Sequence, residues 1–305
     1  MQARREDDIL MVNQRRLNHF TLSLLLREDL WDKMSYNKER NTETVMEKET
    51  IFKSMAVMQF FLILSVGLYG MIVTISDARS DEPVDHGIYA ELLRKYVNDG
   101  EVDYRGLKEE ESKLDQYLRV LEVVKPDGLS RDEQFAFYIN AYNAWTLKLI
   151  LGSYPGIKSI RDLGSIFKSP WEKEVCRING RVLTLDEIEH DILRPRFRDP
   201  RVHFAVNCAS KGCPPLRPEP YYGKMIDRQL NEMAAAFINN PRYNRIEGGT
   251  LYVSSIFKWY AEDFHDDIIG FFLKYSRDAL IDKLEIDRDR IRIKYLTYDW
   301  SLNGK

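Results

Sequence analysis

The chain has 305 residues, 44% of them hydrophobic, with three cysteines and a formal net charge of −3. Three cysteines exclude a fold held together by a disulfide scaffold, and the lack of a long basic stripe argues against nucleic acid as a partner. Residues 1–55 are rich in charge and contain only short apolar runs, whereas residues 80–305 have an even composition with enough apolar residues for a core. We therefore predict a charged N-terminal segment followed by one globular domain.

An uncharged segment separates these two regions. Residues 56–75 read AVMQFFLILSVGLYGMIVTI, twenty residues without a formal charge, which is about the length that a helix needs to cross a bilayer core. Lys48 and Lys53 precede this segment and several acidic residues follow it. The positive-inside rule therefore predicts that residues 1–55 are cytoplasmic and that the domain is exported, to the periplasm or the cell exterior. The membrane is a predicted partner through residues 56–75.

The same segment has two interpretations. If it is retained, residues 56–76 form a transmembrane signal anchor that tethers the domain to the membrane. If it is cleaved after Ser76-Asp77-Ala78, which resembles a small-x-small cleavage site, it is a signal peptide and the domain is secreted. Translation from Met46 would favour the signal peptide, and translation from Met1 the anchor. Both interpretations place the domain on the same side of the membrane.

The periodicity of the domain predicts an α+β fold, mainly helical, with a small antiparallel sheet. Helical spacing predicts one helix through Tyr96, ended by Gly100, and a second from about Leu114 to Val124. Ser130-x-x-Glu133 is a capping-box pattern that predicts a long helix ending near Leu151. Asn179-Gly180, between short apolar runs, predicts a β-hairpin.

The second half of the domain continues this pattern. Thr184-x-x-Glu187 predicts a short helix that Pro195 closes, and the apolar run at 202–207 predicts a buried strand. Farther along the chain we predict helices at about 224–239 and 266–276, and strands at 250–254 and 291–296. No internal repeat or regular βαβ alternation is visible in the sequence.

Two asparagines lie one turn apart in the predicted long helix, in the string FYINAYNAW. Because of the i, i+3 spacing, Asn140 and Asn143 share a face. A buried carboxamide needs hydrogen-bond partners. The pair therefore either fixes the helix to neighbouring backbone or lines a pocket.

The string RVHFAVNCASKGCPPL carries the residues best suited to chemistry. On a strand, His203 and Asn207 would point to one face and Cys208 to the other, but a turn at 209–212 would bring the thiol back towards the imidazole. A thiol activated by an imidazole that an asparagine orients is the arrangement of cysteine hydrolases. In an oxidising compartment the alternative is a disulfide between Cys208 and Cys213. A zinc site built from these residues and His190 matches no standard spacing, so we expect no metal.

Three further strings contribute polar and aromatic residues. In LTLDEIEHDILRPRF, His190 and Arg194 share a helix face, either as part of an ion-paired surface or as part of a binding site. VSSIFKWYAEDF combines aromatic residues with Lys258, Glu262 and Asp263, and is most simply a hydrophobic docking surface. TYDWSLN follows near residue 300.

Six strings in this order resemble the family known as domain of unknown function 547. They are VDYRGL (102–107), FYINAYNAWTLKLIL (137–151), LTLDEIEHDILR (183–194), HFAVNCASKGCPPL (203–216), SSIFKWYAEDF (254–264) and YDWSLN (298–303). The resemblance spans about 85–303 and implies a domain of the exported bacterial type, in a family that also occurs in plants and whose activity is not established. Ala209 stands where glycine is usual.

The order of helix, hairpin, histidine strand and further strand is similar to papain-like and transglutaminase-like folds. In those folds the nucleophilic cysteine begins the core helix, whereas the corresponding helix here carries Asn140 and Asn143 and no cysteine. Simple transglutaminase chemistry is therefore not expected. The analogy concerns the fold alone.

Two functional hypotheses follow. In the first, the domain is a cysteine-hydrolase-like enzyme that acts on amide or acyl bonds in the cell envelope, with Cys208 as nucleophile, His203 as base and Asn143 as orienting group. In the second, the domain is a non-catalytic module that holds a peptide or another envelope ligand in a cleft of asparagine and histidine side chains. Neither hypothesis requires a cofactor. The predicted binding residues are Asn140, Asn207, His190 and Arg194.

Overall fold

A computed structural model of the chain describes residues 84–165, 168–286 and 290–305. The predicted charged segment (1–55) and the predicted anchor or signal (56–76) lie outside the described residues. Within the described residues, no helix is both long enough and apolar enough to cross a membrane.

Helices provide most of the regular structure, and three small sheets complete an α+β fold, as predicted. The helices are α1 (Gly87–Tyr96), α2 (Tyr104–Glu109), α3 (Glu111–Val123), α4 (Arg131–Leu151), α5 (Arg194–Phe197), α6 (Ile226–Ile238), α7 (Ile256–Trp259), α8 (Ile268–Tyr275) and α9 (Asp278–Ile286). A π-helix over Glu187–Leu193 runs directly into α5, and short 3₁₀ turns connect other elements.

The long helix α4 is the centre of the domain. Its capping box is confirmed, because the Ser130 hydroxyl accepts a hydrogen bond from the backbone N–H of Glu133 at the first turn. Almost every side chain from Gln134 to Leu147 is buried, so α4 has no solvent-facing stripe over this stretch. It packs against α3, α6 and the π-helix.

The strands form two hairpins and one mixed sheet. They are β1 (Val97–Asn98), β2 (Glu101–Val102), β3 (Cys176–Ile178), β4 (Arg181–Leu183), β5 (Arg245–Glu247), β6 (Thr250–Val253) and β7 (Arg292–Tyr295). The predicted hairpin β3–β4 is confirmed, with Asn179 and Gly180 at positive φ in its turn. In the third sheet β5 pairs with β6 antiparallel, whereas β6 pairs with β7 parallel.

The predicted strand at 202–207 is wrong. Pro200–Phe204 is a 3₁₀ turn, which begins where the Asp199 side chain accepts a hydrogen bond from the N–H of Arg201. The error has a physical reason: Phe204 is fully buried in a cluster of phenylalanines, and a short apolar run that is buried on all sides reads alike in a strand or a helical turn. Because the segment is not a strand, the prediction that the His203 and Cys208 side chains point to opposite faces of a strand does not apply.

The predicted helix stop at Pro195 is also wrong. The capping box is present, since Thr184 and Glu187 exchange hydrogen bonds through their side chains. The helix that follows has the wider π geometry, in which the Arg194 N–H bonds to the Glu189 carbonyl five residues back, and it continues through Pro195 into α5. The helix ends instead at Arg198, whose φ is +54°.

Candidate active site

An open cleft with an empty volume of about 700 Å³ gathers residues from six parts of the domain. The contributors are α4, the 3₁₀ turn at 170–172, the π-helix, the 3₁₀ turn at 200–204 with the segment after it, the region of α7, and residues 298–300. The lining residues that bear chemistry are Asp186, Glu189, His190, His203, Cys208 and Cys213, and the aromatic ones are Tyr142, Trp171, Trp259, Tyr260, Tyr298 and Trp300.

Cys208 lies in a tight loop that presents its thiol to the cleft. The residue is partly exposed, and its Sγ lies 3.1 Å from Ser210 Oγ and 3.3 Å from the hydroxyl of Tyr298. The next residue, Ala209, has a φ of +59°, in the left-handed region that favours glycine. This strained residue turns the chain sharply just after the thiol.

The two thiols of this loop are free and lie side by side. Cys208 and Cys213 do not form a disulfide; instead the backbone N–H of Cys208 donates a hydrogen bond of 3.0 Å to Cys213 Sγ. The neighbouring Cys213 thiol lowers the pKa of Cys208, and the Ser210 and Tyr298 hydroxyls act in the same direction against the effect of burial. Burial raises the pKa of Cys213. Cys208 is therefore the member of the pair that ionises first.

The imidazole of His203 is held between a carboxylate and an aromatic ring. Its Nε2 lies 2.6 Å from Asp263 Oδ2, and its ring stacks on Tyr260 with centroids 3.8 Å apart. Its Nδ1 is buried and has no hydrogen-bond partner among the described residues. The nearest carboxylate to that atom is Glu189, with Oε1 at 3.9 Å. One ring nitrogen is thus fixed and the other is available.

Arg194 fixes the carboxylate that holds His203. Its guanidinium donates to both oxygens of Asp263, at 2.6 and 3.1 Å, and to His190 Nδ1 at 2.8 Å. Partial burial alone would raise the pKa of Asp263, but the hydrogen bonds from His203 and Arg194 outweigh it and hold that pKa well below its usual range. Asp263 is therefore a permanent anion at neutral pH, as a group that orients a histidine must be.

The three asparagines predicted for the site lie behind it. Asn143 donates to the carbonyl of Ala205 at 2.9 Å and accepts from the N–H of Asn207 at 2.8 Å, so it holds the backbone between His203 and Cys208. Asn140 holds the backbone of Tyr221 in the same manner, with two bonds of 2.8 Å. All three carboxamides are buried, and none is among the residues that line the cleft.

Asn207 braces the cysteine loop from within. Its Nδ2 donates to the carbonyl of Pro214 at 2.8 Å, and its Oδ1 accepts from the N–H of Ala209 at 2.9 Å. Asn303 adds a further hydrogen bond to the same Oδ1. Asn143 and Asn207 therefore position the loop, whereas Asp263 occupies the place beside His203 that we predicted for Asn143.

Sequence reasoning missed the partners of both reactive groups. Asp263 and Tyr260 belong to a string interpreted as a docking surface, and Tyr298 to a string left without a role. Phe257 and Phe264 of the first string are indeed buried, but Trp259 and Tyr260 line the cleft and Asp263 bonds to His203. The signal was the mixture of acidic and aromatic residues, which a purely apolar surface does not require.

Among the residues that the structure describes, no group of three or more His, Cys, Asp or Glu side chains is arranged to hold a metal ion. His190 and His203 are each engaged with other partners, through Arg194 and Asp263.

The fold and the cleft define an α+β domain with a thiol and a histidine–aspartate pair in one open site. Residues 126–238 match the family model described as "Protein of unknown function, DUF547". This match supports the DUF547 family and includes three of the six strings on which the resemblance depends, those at 137–151, 183–194 and 203–216. No curated protein and no solved structure matches the chain.

Proposed function

We propose that the domain is a cysteine-dependent hydrolase of amide or acyl bonds. The observation that carries the proposal is the position of Cys208, a partly exposed residue whose thiol has a lowered pKa, in the same cleft as His203, the partner of Asp263. A low-pKa thiol in an accessible cleft is the form in which cysteine acts as a nucleophile. The exported location predicted by residues 56–75 would make envelope material the source of the substrate.

The chemistry assigns one task to each group. The Cys208 thiolate attacks the carbonyl carbon, and His203 Nδ1, the free ring nitrogen, receives the thiol proton and returns it to the leaving amine or alcohol. Asp263 stabilises the imidazolium that forms between these steps. The hydroxyls of Ser210 and Tyr298, close to Sγ, are the nearest side-chain donors for the developing oxyanion. Water then cleaves the thioester and restores the thiol.

A model ester tests this proposal directly. With p-nitrophenyl acetate we expect a burst of nitrophenolate and an acetyl adduct on the peptide that contains Cys208, detected by mass spectrometry. Cys208→Ala should abolish both signals, and Asp263→Asn should slow acylation by about 100-fold or more, the usual size of general-base assistance. The matched control is Cys176→Ala, because Cys176 is buried away from the cleft. A burst that persists in Cys208→Ala would refute the proposal.

A second candidate function is ligand binding without covalent chemistry. One observation favours it: no hydrogen bond joins the His203 ring to Cys208, although both are described. In that case the aromatic wall of the cleft would hold a ligand, and no adduct would form on Cys208 under any of the conditions above.

A further inference from the structure

We propose that the cleft selects acyl compounds that carry a positively charged ammonium group on a side chain, as lysine does. The claim that such molecules are substrates rests on the proposed hydrolase function. The claim that the cleft binds them does not. Three independent features of the cleft support it: the sign of its charges, an incompletely bonded carboxylate, and an exposed wall of aromatic rings.

The charges that line the cleft are negative. Asp186 and Glu189 line it, and neither lysine nor arginine is among its lining residues. The side chain of Asp186 is about half exposed, 3.5 Å from His190 Nε2. Burial and the nearby carboxylates raise the pKa of Asp186, against the opposing effect of His190, as expected where negative charge has accumulated without a full complement of cations.

Glu189 is the strongest single indication. The residue is 7% exposed, yet the only hydrogen bond to its carboxylate in the described structure comes from the Tyr260 hydroxyl, at 2.6 Å to Oε1. No described residue donates a hydrogen bond to its Oε2, and Arg194, the nearest arginine on the same helical segment, is engaged with Asp263. A buried carboxylate without a bonded cation is costly, and an ammonium group in the cleft would supply both the missing charge and the missing donor.

The aromatic wall completes the site. Trp259 and Trp300 lie with ring centroids 5.7 Å apart at an interplanar angle of 26°, and Tyr298 lies 4.5 Å from Trp300. Trp259 is 47% exposed, so with Tyr298 and Trp300 it forms a contiguous aromatic patch, the kind of surface that marks a binding site. Aromatic faces beside carboxylates attract ammonium groups through the ring quadrupole. A neutral sugar would also stack on these rings, but it would leave Glu189 without a counter-charge.

A matched pair of ligands tests the inference. We would titrate N-acetyl-lysine methylamide and N-acetyl-norleucine methylamide into the Cys208→Ser protein and follow tryptophan fluorescence. The two have the same carbon chain, and the norleucine derivative lacks only the terminal ammonium group. The lysine derivative should bind at least about tenfold more tightly, the effect expected of a desolvated cation–π contact together with a carboxylate. Equal affinities, or a preference for a neutral chito-oligosaccharide over the lysine derivative, would overturn the inference.

Two substitutions locate the preference. Glu189→Gln should remove most of it, whereas Asp191→Asn, an equal change of charge at an exposed position of the same π-helix, should leave it intact. If Glu189→Gln does not fold, the exposed Asp186→Asn replaces it and should weaken the preference in the same direction. A preference that survives these cleft substitutions unchanged contradicts the assignment.

The outcomes separate this inference from the proposed function. Selective binding of the lysine derivative by a protein that forms no acetyl adduct would retain the inference and reject the hydrolase. An adduct on Cys208 with no preference between the two ligands would retain the hydrolase and reject the inference.

Discussion

His86 lies beneath α4, 2% exposed, between Tyr117 and Asn140. The orientation of the Asn140 carboxamide is fixed, because its Oδ1 accepts from the N–H of Tyr221. Its Nδ2 therefore faces His86 Nε2 as a donor, at 3.3 Å, and the ring must carry its proton on Nδ1, facing the Tyr117 hydroxyl at 2.7 Å. A second ring proton would meet the Asn140 amide hydrogens, so the fold requires a neutral His86.

This requirement predicts a pH dependence of stability. Burial lowers the pKa of His86 from 6.5 to about 4, against the opposing charge of Asp85. Because the folded pKa lies below the unfolded one, the unfolded chain takes up the proton first as the pH falls. The free energy of unfolding should therefore decrease between about pH 6.5 and pH 4, by about 3 kcal/mol from this group.

Urea unfolding at pH 7.5 and at pH 4.5 measures this decrease. His86→Gln should show a shallower loss of stability between the two pH values. His265→Asn, a substitution of an exposed histidine, should keep the wild-type slope. If the wild type and His86→Gln lose the same free energy, the effect has been assigned to the wrong group.

Among larger elements, the segment 298–303 has the greatest effect on the cleft. It runs beside the cysteine loop, where the backbone N–H groups of Lys211 and Gly212 donate to the carbonyls of Ser301 and Asp299, each at 2.8 Å. Ser210 and Leu302 form an isolated bridge in the same contact. This pairing carries the Tyr298 ring to the thiol of Cys208.

The contact depends on the small size of Gly212. A Cβ at this position would lie 2.9 Å from the backbone N of Asp299 and 2.9 Å from the Tyr298 ring. Gly212→Ala should therefore push the two segments apart, destabilise the fold by about 1–3 kcal/mol as overpacking does, and slow the alkylation of Cys208 by iodoacetamide.

The matched control is Gly128→Ala, because a Cβ on Gly128 meets nothing within 4 Å. That substitution should shift the midpoint of urea unfolding much less than Gly212→Ala does, and it should leave the alkylation rate of Cys208 unchanged. Equal behaviour of the two alanine variants would show that the close approach at Gly212 is unimportant.

Elements with local signals were predictable from the sequence. The capping residues Ser130 and Glu133, three positions apart, are enough to predict the start of α4. The pair Asn179-Gly180 is enough to predict the turn between β3 and β4. The 3₁₀ turn at Pro200–Phe204 was not predicted, because its apolar residues also fit a strand, although Asp199-Pro200 was a local signal for a helical start. Pairs remote in sequence left no local trace: His203 and Asp263 are 60 residues apart.

The sequence predicted which residues form the candidate site better than it predicted what each residue does there. It predicted that His203 and Cys208 belong to one site, and both line one cleft. The sequence could not reveal that both ends of the Asn143 carboxamide would hydrogen-bond to backbone groups. The partners of a buried carboxamide depend on the tertiary packing.

At the scale of the whole domain, one hydrophobic core extends well beyond the residues matched by the family model. It includes Tyr89 and Leu114 before that match, and Phe257 and Phe272 after it. The central helix α4 contacts α3, which precedes the match, and α6 contacts α8, which follows it. The match over 126–238 therefore marks the centre of a larger folding unit.

This predicts where a minimal folded fragment ends. A fragment of residues 80–305 should unfold in urea in one cooperative transition, with circular dichroism and tryptophan fluorescence coincident. A fragment of residues 126–238 should show no cooperative transition, because it lacks the apolar surfaces that cover α4 and α6. Cooperative unfolding of the shorter fragment would mean that the flanking elements are additions to an independent core.

The hydrogen bond from Tyr298 to Cys208 joins residues 90 positions apart. A ribosome makes the chain in order, so the thiol emerges long before the hydroxyl that favours its ionisation, and before two of the three tryptophans of the cleft. Until then Cys208 is an ordinary cysteine of a growing polypeptide. The contribution of Tyr298 to the lowered pKa of Cys208 therefore begins only after residues 298–303 have been synthesised.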